Sequence, residues 1–299
     1  MNMRPYDVRV IPRKYINNFF IILKYICFIF KILFIMKLIK YIILGIIQGL
    51  TEPLPISSSG HIFVLKHLLN VNFINDLNYE IILNAGSMAS ILIIYRRKLF
   101  SLIKGFFMYL KSKDEVYMNE FKYSLYIIIG VFPVCILGLF LKDFIERTLS
   151  MSFSIVGISF IITGVFLYLV RNKNNNRSSI KLSDALYIGF VQMIALIPGI
   201  SRSGSTLIAG LYSGISREEA FDYSFMLYIP ISICTTLLGI IELFNSEIDV
   251  IPYVLGFFIS LIVSLFTLKW FRNIVRQGKL IYFSFYCIII GLFILIFMV

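Results

Sequence analysis

The chain has 299 residues, 59% of them hydrophobic, and a mean hydropathy of +0.88. That composition excludes a soluble globular domain and points to an all-α polytopic membrane protein, for which length says nothing about domain count. The formal net charge of +12 would suit a nucleic-acid partner, but the basic residues fall in short clusters between apolar runs, as in cytoplasmic loops, and no nucleic-acid motif is present.

Residues 1–35 differ from the rest. Arg4, Arg9, Arg13 and Lys14 lead into a Phe/Ile-rich segment interrupted by Lys24 and Lys31, and Met36 offers a second start. This N-terminal extension is either an extra membrane helix or the product of a start placed too far upstream. The four cysteines, Cys27, Cys135, Cys234 and Cys287, lie in apolar runs without ligand spacing, so neither a disulfide framework nor a zinc site is expected.

Six apolar runs read as spanning helices: 79–95, 123–141, 153–170, 220–244, 252–270 and 280–299. The stretch from Arg96 to Lys122 is rich in Lys and Arg and reads as a cytoplasmic loop. The segment 171–181 is polar and basic and is expected to be a flexible cytoplasmic loop. The stretches 70–78 and 245–249 carry no Lys or Arg and read as external.

Two polar islands interrupt this pattern. Residues 45–61 read GIIQGLTEPLPISSSGH, and residues 189–206 read GFVQMIALIPGISRSGST. At a shift of 144 residues Gly45, Gln48, Ile56, Ser57, Ser59 and Gly60 fall on Gly189, Gln192, Ile200, Ser201, Ser203 and Gly204, which marks an internal repeat. The second island lies between Lys181 and Arg217, both on the cytoplasmic side, so it must dip into the membrane and return. The first, by the same plan, enters from outside. Each half is then a re-entrant helix pair plus three spans, and the odd count inverts the halves, about 36–170 and 184–299, within a single domain 36–299. Lys37 and Lys40 would lie outside, against the charge rule.

The islands carry the chemistry. A carboxylate at membrane depth costs about 2.5–3.5 kcal/mol on insertion scales unless it meets a cavity or a cation, so Glu52 asks for a role beyond tying helices together. Gln48 precedes it by four residues and shares its helical face. The two offer hard oxygen donors for Mg²⁺ or Ca²⁺, with substrate phosphates and water completing the shell. Ser57 and Ser58 stand where a loop starts a helix, a position that caps backbone N–H groups and attracts anions. His61 follows, able to move a proton near neutral pH or to attack phosphorus. Arg202 needs an anion, and its fork fits either phosphate oxygens or an internal ion pair with Glu52. Ser201, Ser203, Ser205 and Thr206 surround it with hydroxyls, and Gly199 and Gly204 let the backbone approach an anion. A phosphate or diphosphate on a lipid is the natural ligand.

At these residues the sequence resembles the undecaprenyl-diphosphatase, or bacitracin-resistance, family. That family carries (E/Q)xxxE, then PxSSxGH, then PGxSRSGxT, matched here by Gln48 and Glu52, by residues 55–61 and by residues 198–206. Pro53 departs from the aromatic residue common at its position. The resemblance covers residues 36–299 and implies hydrolysis of undecaprenyl diphosphate with a divalent cation in the bacterial cell membrane, recycling the carrier lipid for peptidoglycan and conferring bacitracin resistance. It implies Glu52, Ser58, His61 and Arg202 as catalytic, Gln48 and Glu52 as metal-binding, and Ser57, Ser201, Arg202, Ser203, Gly204 and Thr206 as phosphate-binding. The partners are a polyprenyl diphosphate lipid and the membrane; a homodimer stays open. Inverted repeats with broken helices are also a transporter plan, so a polyprenyl-phosphate transporter or flippase is the rival.

Overall fold

The computed structural model describes residues 13–69, 77–148, 152–243 and 250–299. Among them every regular element is helical. The α-helices are α1 (Arg13–Thr51), α2 (Ser58–Leu68), α3 (Leu77–Ser112), α4 (Met118–Thr148), α5 (Phe153–Val170), α6 (Leu182–Gln192), α7 (Arg202–Tyr212), α8 (Arg217–Leu243), α9 (Val250–Arg276) and α10 (Ile281–Phe297).

Among the described residues five helical segments are long and apolar enough to cross a membrane: 31–51, 115–138, 153–170, 217–241 and 250–276. Four of them overlap expected spans, and the fifth belongs to α1. The expected span at 79–95 lies within α3, a helix of 36 residues that runs on through Arg96, Arg97 and Lys98 to Ser112. The stretch read as a cytoplasmic loop is thus largely helical, because Leu, Met, Lys and Arg favour helix and no proline interrupts them. The last apolar run forms α10, of 17 residues. The external stretch 245–249, most of 70–78 and residues 1–12 of the extension lie outside the described residues.

Helices α2, α6 and α7 have eleven residues each. At 1.5 Å per residue each is about 16 Å long, against a hydrocarbon core of about 30 Å. The second polar island therefore folds as a hairpin of two short helices, α6 turning into α7, whereas the first joins the end of the long α1, 39 residues, to the short α2.

Small residues set the packing of the long helices, since helices in an apolar medium associate by close backbone approach and interhelical hydrogen bonds. Between α5 and α10, a Cβ placed on Gly157 would lie 3.1 Å from the Gly291 carbonyl oxygen, and one on Gly291 would lie 2.7 Å from the Gly157 oxygen. Ser284 donates to the Gly164 carbonyl at 2.7 Å alongside. Between α3 and α9 the hydroxyls of Ser87 and Ser260 are 2.8 Å apart, and those of Ser90 and Ser264 2.7 Å. At the basic end of α3, Asp222 of α8 accepts from Tyr95 at 2.7 Å and from Arg272 of α9 at 3.1 Å.

The segment 171–181 is held in place. Asn175 donates to the carbonyls of Leu211 and Ile215 at 2.7 and 3.1 Å, and Arg177 donates to that of Ser213 at 2.7 Å. Arg177 also pairs with Asp184, which accepts from its Nη2 at 2.9 Å. These polar side chains meet carbonyls at and beyond the end of α7, so the segment expected to be a flexible loop has specific partners.

Candidate active site

Both hairpins are capped alike. Ser57 opens α2 and accepts from the Gly60 N–H at 3.3 Å; Ser201 opens α7 and accepts from the Gly204 N–H at 3.0 Å. A second hydroxyl stands beside each cap, Ser59 at 3.4 Å from Ser57 and Ser203 at 3.3 Å from Ser201. The repeat seen in the sequence is thus a repeat of cap geometry. One difference is local: Ser57 has φ 67°, in the left-handed region that disfavours side chains, whereas Ser201 has φ −73°.

The hairpin tips touch. Ser203 donates to the Leu54 carbonyl at 3.0 Å, and Arg202 Nη2 stands 3.1 Å from Glu52 Oε1 in an ion pair whose side chains are 25% and 9% exposed. The other carboxylate oxygen accepts from Gln48 Nε2 at 3.0 Å and from the Ser58 hydroxyl. Glu52 therefore gathers the amide one turn back on α1, the second residue of its own serine turn and the guanidinium of the opposite hairpin. That satisfies a carboxylate removed from water, and it leaves Arg202 with its remaining N–H edges for a further anion.

The structure brings Gln48, Glu52, Ser58, Arg202 and Ser203 together and sorts the remaining expected residues around them. Ser57 and Ser201 cap the helices, and Gly204 supplies the N–H that Ser201 accepts. Thr206 is buried, donates to the Arg202 carbonyl at 3.1 Å and pairs with the Ser224 hydroxyl of α8. Its contacts hold the turn that carries Arg202. His61 contacts neither Glu52 nor Arg202: Nδ1 is 2.7 Å from the Ser57 carbonyl, and Nε2 is 2.7 Å from the Tyr286 hydroxyl of α10. A carbonyl can only accept, so Nδ1 carries the proton and Nε2 is the lone-pair nitrogen, accepting from Tyr286. The ring also lies 4.9 Å from that of Phe160.

Three residues at the site escaped the sequence reading. Tyr228 of α8 places its ring 4.3 Å from the Arg202 guanidinium carbon, and its hydroxyl donates to Asn84 of α3 at 2.6 Å. Tyr286 holds His61. None belongs to a spaced motif. The one available signal was Asn84, an amide inside an apolar run.

The residues fit a hard divalent cation in donor type, through the Glu52 carboxylate and the Gln48 amide. They do not complete its shell, and among the described residues no group of three or more His, Cys, Asp or Glu stands ready for a metal. Oxygens of a phosphate substrate would have to complete it.

Comparison with known proteins agrees with this geometry. The family described as bacitracin resistance protein BacA matches residues 41–293. Undecaprenyl-diphosphatase 1 of Bacillus licheniformis is 41% identical over 266 residues, covering 87% of this chain and 98% of the relative. Undecaprenyl-diphosphatase 1 of Bacillus cereus is 42% identical over 265 residues, covering 87% and 97%. The undecaprenyl-diphosphatase of Oceanobacillus iheyensis is 36% identical over 267 residues, covering 87% and 97%. With matches of this extent over both hairpins, the chain belongs to the bacitracin resistance protein BacA family.

Proposed function

We propose that the chain hydrolyses undecaprenyl diphosphate to undecaprenyl phosphate and inorganic phosphate, in the bacterial cell membrane, as its relatives' names state for them. This activity returns the carrier lipid to peptidoglycan synthesis and confers bacitracin resistance. The observation that supports the reading is the Arg202–Glu52 contact, a guanidinium and a carboxylate 3.1 Å apart where two capped helix N-termini meet.

Arg202 and the N–H groups at the starts of α2 and α7 bind the diphosphate oxygens, and charge building on the transferring phosphoryl group is stabilised there. A divalent cation, Mg²⁺ or Ca²⁺, held by Glu52 and Gln48 would neutralise part of that charge. Water attacks the terminal phosphorus directly, or the Ser58 hydroxyl attacks first, and in either case the bond from that phosphorus to the bridging oxygen breaks and undecaprenyl phosphate leaves. On the serine route the hydroxyl proton passes to Glu52 and a phosphoserine forms; water then cleaves its phosphorus–Oγ bond, which releases inorganic phosphate and restores the hydroxyl. Ser58 already directs its proton at Glu52, so a base for that route is in place. His61, whose Nε2 lone pair is turned to the Tyr286 hydroxyl, serves as a second base once substrate or water takes the place of that hydroxyl.

We read the two halves as inverted repeats of one re-entrant pair and three spans, six in all. The helix packing supports this, because exchanging the halves exchanges contacting pairs. Helix α1 packs on α9 as α6 packs on α4, α3 on α9 as α8 on α4, and α5 and α10 pair with each other. The experiment that tests the function is phosphate release from a polyprenyl diphosphate by purified protein in detergent. With no membrane gradient a transporter releases none, and that result would reject the hydrolase.

A further inference from the structure

Arg202 meets Glu52 through one nitrogen and one oxygen, a contact about which a guanidinium turns freely. Its face, however, lies over Tyr228 at 4.3 Å. Tyr228 is only 4% exposed, and its hydroxyl is tied to Asn84 Oδ1 at 2.6 Å. The ring sits on α8 and its anchor on α3, so neither depends on the hairpin that carries Arg202.

We infer that Tyr228, fixed by Asn84, is a positioning residue that holds the plane of the Arg202 guanidinium for the incoming diphosphate. This rests on the reading that Arg202 binds the substrate. When phosphate enters, Arg202 must give up Glu52 for phosphate oxygens, and contacts at its edge change. A contact at its face need not change, because stacking leaves every N–H in the plane open to oxygen acceptors. The platform therefore serves both states and restricts the guanidinium to the orientation in which two N–H groups meet two phosphate oxygens. Asn84 sets the ring angle, and so a residue of the first half aligns an arginine of the second.

The test uses purified full-length protein in detergent, with a farnesyl diphosphate substrate and its methylene-bridged, non-hydrolysable analogue as the binding probe. Tyr228→Leu is expected to weaken analogue binding and lower kcat/KM about tenfold, and Tyr228→Phe, which keeps the face, about threefold or less. Asn84→Ala should fall between them. On an Arg202→Ala background, where the capped helix N-termini still hold the analogue, adding Tyr228→Leu or Asn84→Ala should change binding no further. Wild-type affinity in Tyr228→Leu overturns the inference, and so does a loss of equal size with and without Arg202, which is the mark of a structural role. The Asn84→Ala arm of the cycle decides the matter if Tyr228→Leu does not fold. Absence of phosphate release by the wild type would reject the hydrolase reading, while the binding cycle would still decide the role of Tyr228.

Discussion

Arg202 Nη2 and Glu52 Oε1 are 3.1 Å apart although the residues are separated by 150 positions in the chain. One hairpin supplies the anion and the other the cation, so each leaves the other uncompensated when removed. Glu52→Ala and Arg202→Ala should each lower phosphate release by at least about a hundredfold. Each should also destabilise the protein, by up to about 3 kcal/mol, since a lone charge remains largely out of water. The double variant separates the two effects: its thermal midpoint should recover toward wild type while its activity does not. Recovery of turnover in the double variant would show that the pair serves stability alone.

The serine caps offer a comparison within one molecule. Ser201 caps α7 from ordinary extended backbone, whereas Ser57 caps α2 with φ 67°. Ser201→Ala and Ser57→Ala should each cost about 1 kcal/mol through the lost cap. Ser201→Gly should cost only a few tenths, and Ser57→Gly should be neutral or stabilising, because glycine removes the left-handed strain that serine bears. Thermal midpoints in detergent test this, and a greater loss for Ser57→Gly than for Ser57→Ala would refute the strain.

Glycine positions at the hairpins separate two kinds of close approach. A Cβ on Gly60 would lie 2.4 Å from a ring carbon of Phe160, and one on Gly189 would lie 2.6 Å from the Gly130 carbonyl oxygen. Gly60→Ala should destabilise by about 1–3 kcal/mol as an overpacked site and be relieved by Phe160→Leu, which withdraws the ring. Gly189→Ala meets backbone, so no side-chain change on α4 should rescue it. Thermal midpoints of the single and paired variants give the answer.

Much of the site could be read from the sequence because it lies in two contiguous motifs whose residues remain local after folding. The Gln48–Glu52 spacing is one helical turn, and each serine cap bonds three residues ahead. The ion pair joining the motifs was legible because a guanidinium and a carboxylate in apolar surroundings have few other partners. Tyr228, Asn84 and Tyr286 were not legible, since aromatic and amide side chains in apolar helices are compatible with any packing and only the approach of α3 to α8, and of α2 to α10, gives them a partner. The helical extension of α3 was missed for a related reason: charge identifies a segment outside the membrane but not whether it coils. The hold on 171–181 depends on where α7 ends, which the local sequence does not state.

Cation dependence follows from the donor set. Phosphate release should fall to background in excess EDTA and return on adding Mg²⁺ or Ca²⁺. Glu52→Gln keeps the shape but removes the charge that a hard cation needs, so any residual activity should require at least about tenfold more cation. Gln48→Ala, which removes a neutral donor, should raise the requirement less. Full activity in EDTA after exhaustive dialysis would exclude the cation.

Arg177 ties the segment 171–181 to α6 through Asp184 and to the end of α7 through the Ser213 carbonyl. Asp184 is 5% exposed and also accepts from the Lys181 backbone N–H at 2.8 Å, opening α6. Arg177→Ala therefore strands a buried carboxylate and releases the loop at once, with a loss of up to about 3 kcal/mol. Subtilisin should cut the variant within 171–181 faster than the wild type. Because α7 carries Arg202 at its other end, the loosened hairpin should raise KM for the diphosphate lipid more than it lowers kcat. Arg177→Lys keeps the charge but not the two-pronged geometry and should recover protease resistance only in part. Equal cleavage rates in wild type and Arg177→Ala would show that the Asn175 contacts alone hold the segment.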